Sequence, residues 1–510
     1  MSESIEQAIA ALRAGQPVVF PTDTVYGVGV AVRYAESPQA LYDIKRRDAG
    51  KPVAWLVGSP EALDEYGADV PIEARALAAS HWPGALTIIV KASEAAPAAF
   101  IPPSGTIGLR MPASAEALEL IRAVGPIATS SANVSGGDDP RTLEDVDAQL
   151  LDQVGASVRS AHVGSGTAST VIDCTQGIVE VIRQGGIMPD SVFTVPIDYT
   201  SHDGKTRINA KIWTSAKFGD GKQAGAEKPK GVVQLIHGMA EYIDRYDDFA
   251  SYLVERGFVV CAEDHIGHGK SAADPSEFGH MPAHGGKDIL IGDVHTLRRI
   301  VSELFPEVPY VVYGHSMGSF IARSYIARYG EGLAACVLSG TGNVPAALSG
   351  FGRTLARTLA SMRGETYRSA LIDGMGAGGY GKKIPNARTP LDWLSTDPAV
   401  VDAYIADELC GFMFTVGGYA TLLDLTAEVV TPECAAKVPK DLPILLVAGD
   451  GDPVGDMGKG VEAAAQLLRD AGVKEVDCKL YEGMRHEIHN EIGHEQVYDD
   501  IAQWIESHTN

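Results

Sequence analysis

The pentapeptide Gly314-His315-Ser316-Met317-Gly318 constrains this chain more than any other stretch, because of what flanks it. Before it runs Val308-Pro-Tyr-Val-Val-Tyr313, an apolar run of strand character, and after it Ser319 to Tyr329 reads as a helix. A serine at a strand-to-helix turn must adopt a strained backbone, and side chains two residues to either side would collide, so both flanking positions are glycine. The context favours a nucleophile over a merely glycine-rich turn. A serine hydroxyl needs a base to take its proton and a carboxylate to orient that base. The strand Leu442 to Ala448 opens into Gly449-Asp450-Gly451-Asp452-Pro453, and Tyr481-Glu-Gly-Met-Arg-His486-Glu487 follows another short strand. Asp452 is the expected acid because it lies deeper in its loop and Pro453 fixes the exit. Asp450 is the alternative, with a turn or cap as its other reading. His486 is the expected base over His489, read as a surface helix position, and His494. Backbone N–H groups of Met239 and Met317 are expected to stabilise an oxyanion.

A second, unrelated set of residues lies before residue 190. Its short apolar runs alternate with helical stretches such as Pro71 to His81 and Ala115 to Val124, an α/β pattern. No G-x-x-x-x-G-K-[ST] occurs there, so a nucleotide would have to be held otherwise. Lys45-Arg46-Arg47 with Lys51 forms a positive patch, and Arg110, Arg141 and Arg183 are further cations. Composition alone does not separate a phosphate site from a solvated face. Small hydroxyl and amide residues beside the apolar runs favour a ligand site: Thr22, Thr24, Thr87, Thr129-Ser130-Ser131-Ala132-Asn133 and Ser169-Thr170. No cluster of carboxylates announces a protein-made metal cage.

With 45% hydrophobic and 21% charged residues, both halves can bury a core. Two domains are expected, residues 1–190 and 191–510. The boundary precedes two alternating runs around Asp203-Gly204 that read as a hairpin. The polar stretch Gly219 to Lys230 reads as a loop inside the second domain. A net charge of −24, shared by both halves, disfavours long nucleic acid as primary ligand. Six scattered cysteines without a CxxC pair suit a reducing cytoplasm, and neither an export signal nor a membrane span is evident.

Residues 195 to 508 resemble the monoacylglycerol lipase and lysophospholipase-like branch of the α/β-hydrolase fold. His237-Gly-Met-Ala-Glu241 with Arg245-Tyr246, and Asp264-His-Ile-Gly-His-Gly-Lys-Ser271, carry the likeness with the serine pentapeptide. It implies a helical cap from about residues 343 to 432, whose Phe412, Met413, Phe414 and Leu422 line an acyl pocket or form cap core. It also implies a cofactor-free attack on a carboxylic ester. Proline iminopeptidases share the triad, and a peptidase or a non-catalytic scaffold is the rival reading.

Residues 4 to 187 resemble the YrdC family, the L-threonylcarbamoyl-AMP synthases. The likeness rests on Pro21-Thr-Asp-Thr-Val-Tyr-Gly27, Lys45 with Arg47, Lys51-Pro52, Trp82-Pro-Gly84, Arg110-Met-Pro112, Ser131 with Asn133, Ser169-Thr-Val-Ile-Asp173 and Arg183-Gln-Gly185, in family order. It implies an open, twisted α/β sheet around a positive concavity. There L-threonine, bicarbonate and ATP would give threonylcarbamoyl-AMP and pyrophosphate for tRNA threonylcarbamoyladenosine (t6A), alongside partner proteins of tRNA modification. Lys45, Arg47, Thr87, Ser131, Asn133 and Arg183 would meet ATP, with Mg2+ on the triphosphate; Thr24, Lys51, Arg110, Thr129 and Ser169 would surround threonine or its carbamate. Leu56 stands where some members have a histidine, Gln184 replaces a common proline, and the additional C-terminal domain of longer members is missing. An RNA-binding module is the rival.

Overall fold

The computed structural model describes residues 3–46, 52–133, 137, 139–160, 163–175, 180–186, 192–215, 218 and 228–509. The expected contacts of Arg47 and Lys51, the boundary at 190 and most of the Gly219 to Lys230 loop lie outside them. The chain forms two compact units, one of Met1–Val195 and Ser215–Glu227, the other of Pro196–Thr214 and Lys228–Asn510.

In the first unit the described strands are β1 (Val18–Phe20), β2 (Gly27–Ala31), β3 (Ala54–Leu56), β4 (Gly67–Ala68), β5 (Leu86–Ala92), β6 (Thr106–Arg110), β7 (Ile127–Ser131), β8 (Ala156–Ser157), β9 (Thr170–Asp173) and β10 (Glu180–Arg183). They build one mixed sheet in the order β10-β9-β5-β6-β3-β7-β2-β1-β8, with β4 paired to β5. Helix Glu3–Arg13 packs Ile5, Ala8, Ile9 and Leu12 against Val18, Phe20 and the apolar face of helix Ala115–Val124. The i, i+3, i+4, i+7 spacing of those four side chains puts them on one face, which is why an 11-residue helix holds here. Ser114 caps the second helix by accepting from the Ala117 N–H at 3.3 Å.

The second sheet, whose first strand begins three residues before the second unit does, consists of β11 (Phe193–Thr200), β12 (Arg207–Thr214), β13 (Gly231–Ile236), β14 (Phe258–Glu263), β15 (Tyr310–His315), β16 (Ala335–Ser339), β17 (Ile444–Gly449) and β18 (Val476–Tyr481), in the order β11-β12-β14-β13-β15-β16-β17-β18. β12 runs antiparallel to β14; from β14 to β18 every pairing is parallel. β13, β14, β15 and β17 are buried at every position, which accounts for their largely apolar runs, interrupted only by the buried Gln234, Glu263 and His315: a parallel sheet is covered on both faces. Between β16 and β17 lie helices Ala346–Arg363, Ala370–Met375, Pro398–Ala406 and Val416–Val429. No helix among the described residues is long and apolar enough to cross a membrane.

Candidate active sites

Ser316 follows β15 with φ 53° and ψ −120°, a left-handed backbone rare for a residue bearing a side chain, and helix Met317–Tyr329 begins at the next residue. The flanking glycines are needed for a reason sharper than mutual collision. A Cβ on Gly318 would sit 2.0 Å from the carbonyl oxygen of Ile236 at the end of β13, and one on Gly314 would sit 2.4 Å from the Gly318 carbonyl. The neighbouring strand therefore sets the pentapeptide as firmly as the turn does. Ser316 N–H donates to the Ser339 carbonyl at 2.9 Å, fixing the turn to the end of β16.

His486 and Asp452 are both buried, and the ring Nδ1 lies 2.9 Å from Asp452 Oδ2. The other carboxylate oxygen accepts the Val454 N–H at 2.8 Å. Burial alone would push the imidazole down; the charge and hydrogen bond of Asp452 outweigh it, so His486 titrates above the usual histidine value. Its Nε2 is buried with no protein partner among the described residues. Asp450 is exposed and accepts the Gly483 N–H at 2.8 Å, a turn-forming role. His489 departs from the expected surface position. It is buried, stacked on Tyr246 at 4.7 Å and edge-on to His315, and burial pushes it down to about 3. The short turn Ile488–Asn490 folds it inward before helix His494–Ser507 begins; His494, at the first position of that helix, is partly exposed.

Ser316, His486, Met239 and Met317 line one cavity of about 340 Å³. Met317 opens its helix, where an N–H has no intrahelical acceptor. The cavity's remaining walls include Leu348, Leu355, Met375, Phe412, Met413 and Leu422. Phe414 does not belong to them: it is fully buried behind Phe412, against His268 and Tyr419. Sequence reasoning also missed Trp393, whose ring lies 5.0 Å from that of His486 and whose carbonyl accepts the His486 N–H at 3.4 Å.

In the first unit Thr24, Leu56, Thr87, Arg110, Thr129, Ser131, Ser169 and Arg183 line a cavity of about 310 Å³. The strand-end hydroxyls converge there because β5, β6, β3, β7 and β2 are consecutive neighbours. Arg110 is fixed on three sides, to Asp23 Oδ1 at 2.6 Å, Thr24 Oγ1 at 2.9 Å and the Gly84 carbonyl at 2.9 Å. Burial lowers its pKa, and Asp23 partly restores it. Arg183 donates to the Ser169 carbonyl at 2.9 Å and to its Oγ at 3.2 Å, while Thr87 and Ser169 hydroxyls meet at 2.9 Å. Thr129 Oγ1 donates to the Val28 carbonyl at 3.1 Å. Lys45 is not a cation facing an open cavity. It is buried, and its ammonium bonds the Ser131 carbonyl, the Asn133 carbonyl at 2.7 Å and Asn133 Oδ1 at 2.9 Å. Asn133 in turn donates to Asp139 Oδ1 at 3.1 Å, and Asp139 is a cavity residue that the spacing did not announce. Gln184 is exposed.

These geometries define an α/β-hydrolase unit with a serine, a histidine and an aspartate at strand-end turns, and a separate mixed α/β unit whose cavity is lined by hydroxyls and arginines. The chain belongs to two families: the one described as "Serine aminopeptidase, S33" matches residues 227–493, and the one described as "Telomere recombination", of the Sua5, YciO and YrdC type, matches residues 10–185. A putative threonylcarbamoyl-AMP synthase of Mycobacterium tuberculosis is 37% identical over 194 residues, 38% of this chain and 89% of that protein. A monoacylglycerol lipase of Mycolicibacterium smegmatis is 33% identical over 313 residues, 60% of this chain and 95% of that protein. The crystal structure of a thermostable carboxyl esterase from Bacillus coagulans in complex with glycerol superposes with a TM-score of 0.56 at 33% identity, covering 62% of this chain and 99% of its own.

Proposed function

We infer that the chain is bifunctional, residues 1–190 acting as an L-threonylcarbamoyladenylate synthase and residues 191–510 as a serine hydrolase of carboxylic esters such as monoacylglycerols or lysophospholipids. Relatives with those two activities in their names align along nearly their whole lengths with separate parts of the chain. In the hydrolase Ser316 attacks the ester carbonyl while His486 takes its proton at Nε2. Asp452 holds Nδ1–H and stabilises the imidazolium that forms. The N–H groups of Met239 and Met317 receive the carbonyl oxygen as its charge develops. The observation that carries this reading is the buried His486–Asp452 pair sharing a cavity with a strained serine. The largely apolar walls favour an acyl chain over a peptide. Hydrolysis should be measured on p-nitrophenyl esters, monoacylglycerols and lysophospholipids beside aminoacyl anilides. Ester turnover abolished by Ser316→Ala is expected; turnover of the anilides alone would overturn the ester assignment.

In the synthase the threonine amine captures carbon dioxide from bicarbonate as a carbamate, whose oxygen bonds to the α-phosphorus of ATP as the bond to pyrophosphate breaks. Such a reaction asks for positioning and charge rather than a nucleophile from the protein. Arg183, with Arg47, offsets phosphate charge; Thr87, Ser131 and Asn133 meet the AMP portion. Thr24, Lys51, Arg110, Thr129 and Ser169 surround threonine and its carbamate. The Lys45 contacts support a changed role for that residue, ordering the Ser131–Asn133 loop rather than meeting phosphate directly. Mg2+ fits as a companion of the triphosphate, neutralising its charge, since Asp139 is the one carboxylate among the described cavity residues. Unbridged cysteines suit the cytoplasm. Pyrophosphate release that needs both threonine and bicarbonate tests the reading; release independent of either would defeat it.

A further inference from the structure

The loop that carries Met239 is held more completely than its sequence suggests. His237 Nε2 accepts the His265 N–H at 3.0 Å, so in the neutral ring the proton sits on Nδ1, which donates to the Gly238 carbonyl at 2.8 Å. Burial, with His265 and His268 beside it, keeps that ring neutral. The His237 carbonyl lies 3.2 Å from His265 Nε2. Gly238 N–H donates to Glu241 Oε1 at 2.5 Å, and a Cβ at Gly238 would fall 2.5 Å from the same oxygen and 3.1 Å from Ser316 Cβ. The Gly238 carbonyl and the Met239 N–H belong to one planar trans peptide and point in opposite directions. Fixing the carbonyl therefore fixes the direction of the N–H.

Glu241 reaches further. Its Oε1 accepts the Tyr246 hydroxyl at 2.9 Å and its Oε2 accepts Arg245 Nη1 at 3.0 Å. Arg245 is forked on Glu487, at 2.7 Å and 2.6 Å, and Glu487 adjoins His486 in the chain. Its own N–H donates to the Leu394 carbonyl at 2.7 Å. Glu241, Arg245 and Glu487 are all nearly inaccessible, with side-chain exposures of 3%, 12% and 3%.

Resting on the hydrolase reading above, we propose that Glu241 is a positioning residue: by holding the Gly238 N–H while His237 Nδ1 holds the Gly238 carbonyl, it fixes the glycine on both sides, keeps the Met239 N–H against Ser316 and, through Arg245 and Glu487, ties that donor to the loop carrying His486. Neither Glu241 nor Arg245 touches the reacting atoms in this account. Their effect is on the angle of one donor relative to one base. A misdirected donor costs rate in the transition state and leaves ester binding alone, which separates this role from simple support of the fold.

The test uses the full chain with a short-chain p-nitrophenyl ester, comparing wild type with Glu241→Ala and Glu241→Gln. Removing one oxyanion donor costs about 100- to 1000-fold. Turning it should cost less, so Glu241→Ala is expected to lower kcat by about 10- to 100-fold with KM within about twofold. Glu241→Gln keeps an acceptor for the Gly238 N–H but turns its NH2 toward Arg245 Nη1, so it should recover part of that loss and stay several-fold above Ala, with affinity for an aryl boronic acid, a mimic of the tetrahedral intermediate, following kcat. A Glu241→Ala kcat within about twofold of wild type, or a loss shared equally by Gln, overturns the proposal. So does a loss that appears in KM, or one that disappears after correction for the folded fraction by thermal denaturation. Activity surviving in Ser316→Ala would instead defeat the hydrolase reading itself.

Discussion

Replacing Asp452 by asparagine should disable the hydrolase without disturbing its packing, and the two contacts of the carboxylate decide which way the amide will turn. The Val454 N–H donates to Asp452 Oδ1 at 2.8 Å, and His486 Nδ1 lies against Oδ2 at 2.9 Å. An asparagine there has one acceptor and one donor end. Placing its NH2 against the Val454 N–H would leave two buried donors facing each other, at a cost of about 1–3 kcal/mol. The amide oxygen therefore takes the Oδ1 position and the NH2 faces His486. Nδ1 must then accept, the ring proton moves to Nε2, and the imidazole can no longer take the proton of Ser316. In another serine hydrolase the same wrong tautomer lowers kcat by about 10,000-fold, about 5 kcal/mol of barrier, and we expect that size of loss here. The pH profile supplies a second reading. In the wild type His486 must be neutral to act, and Asp452 raises its pKa, so activity falls as pH drops through a value above 6.5. With the charge gone, burial dominates, and the limb of the residual activity should move to lower pH. Steady-state hydrolysis of a p-nitrophenyl ester between pH 5 and 9, with circular dichroism to check folding, measures both. A loss smaller than about tenfold, or a limb that does not move, would show that Asp452 does not set the tautomer of His486.

Other outcomes follow from single contacts. Gly318→Ala places a methyl 2.0 Å from the Ile236 carbonyl, so the second unit should lose at least about 3 kcal/mol in denaturant unfolding; an unchanged midpoint would show that β13 yields. Ser169→Ala removes partners of both Thr87 and Arg183 and should raise the threonine KM of pyrophosphate release about tenfold, the equivalent of one hydrogen bond. Lys45→Met should weaken ATP and also lower the melting temperature of the first unit, because its ammonium ties helix Gln39–Lys45 to the Ser131–Asn133 loop. Loss of ATP affinity with an unchanged melting temperature would return Lys45 to a direct phosphate role.

Much of the hydrolase was legible because the residues proposed to react lie at the ends of apolar runs, and a run followed by a Gly-rich or Asp-rich turn is a local signal. Asp452 is ranked over Asp450 on loop depth alone; in the structure Asp452 is buried and Asp450 exposed. What stayed hidden was pairing at long range. Arg245 and Glu487 are 242 residues apart, and Arg110 and Asp23 are 87 apart, so no spacing rule joins them. His489 was misread because its turn precedes a polar helix, yet the neighbouring Tyr246 and His315 rings make its pocket. Phe414 and Phe412 differ by two positions in an apolar segment and both meet His268; the contact of Phe414 with Tyr419 and its complete burial leave Phe412 to the cavity. In the first unit the hydroxyl residues were visible but their convergence was not, since it depends on a strand order that does not follow the chain.

Two activities share this polypeptide, and their independence can be measured directly. One preparation of the full chain should be assayed for threonine- and bicarbonate-dependent pyrophosphate release from ATP and for ester hydrolysis, in the wild type, Ser316→Ala and Arg110→Ala. Ser316→Ala should abolish hydrolysis and leave pyrophosphate release intact, while Arg110→Ala should do the reverse. A wild type lacking either activity, or a single substitution that removes both, would contradict this.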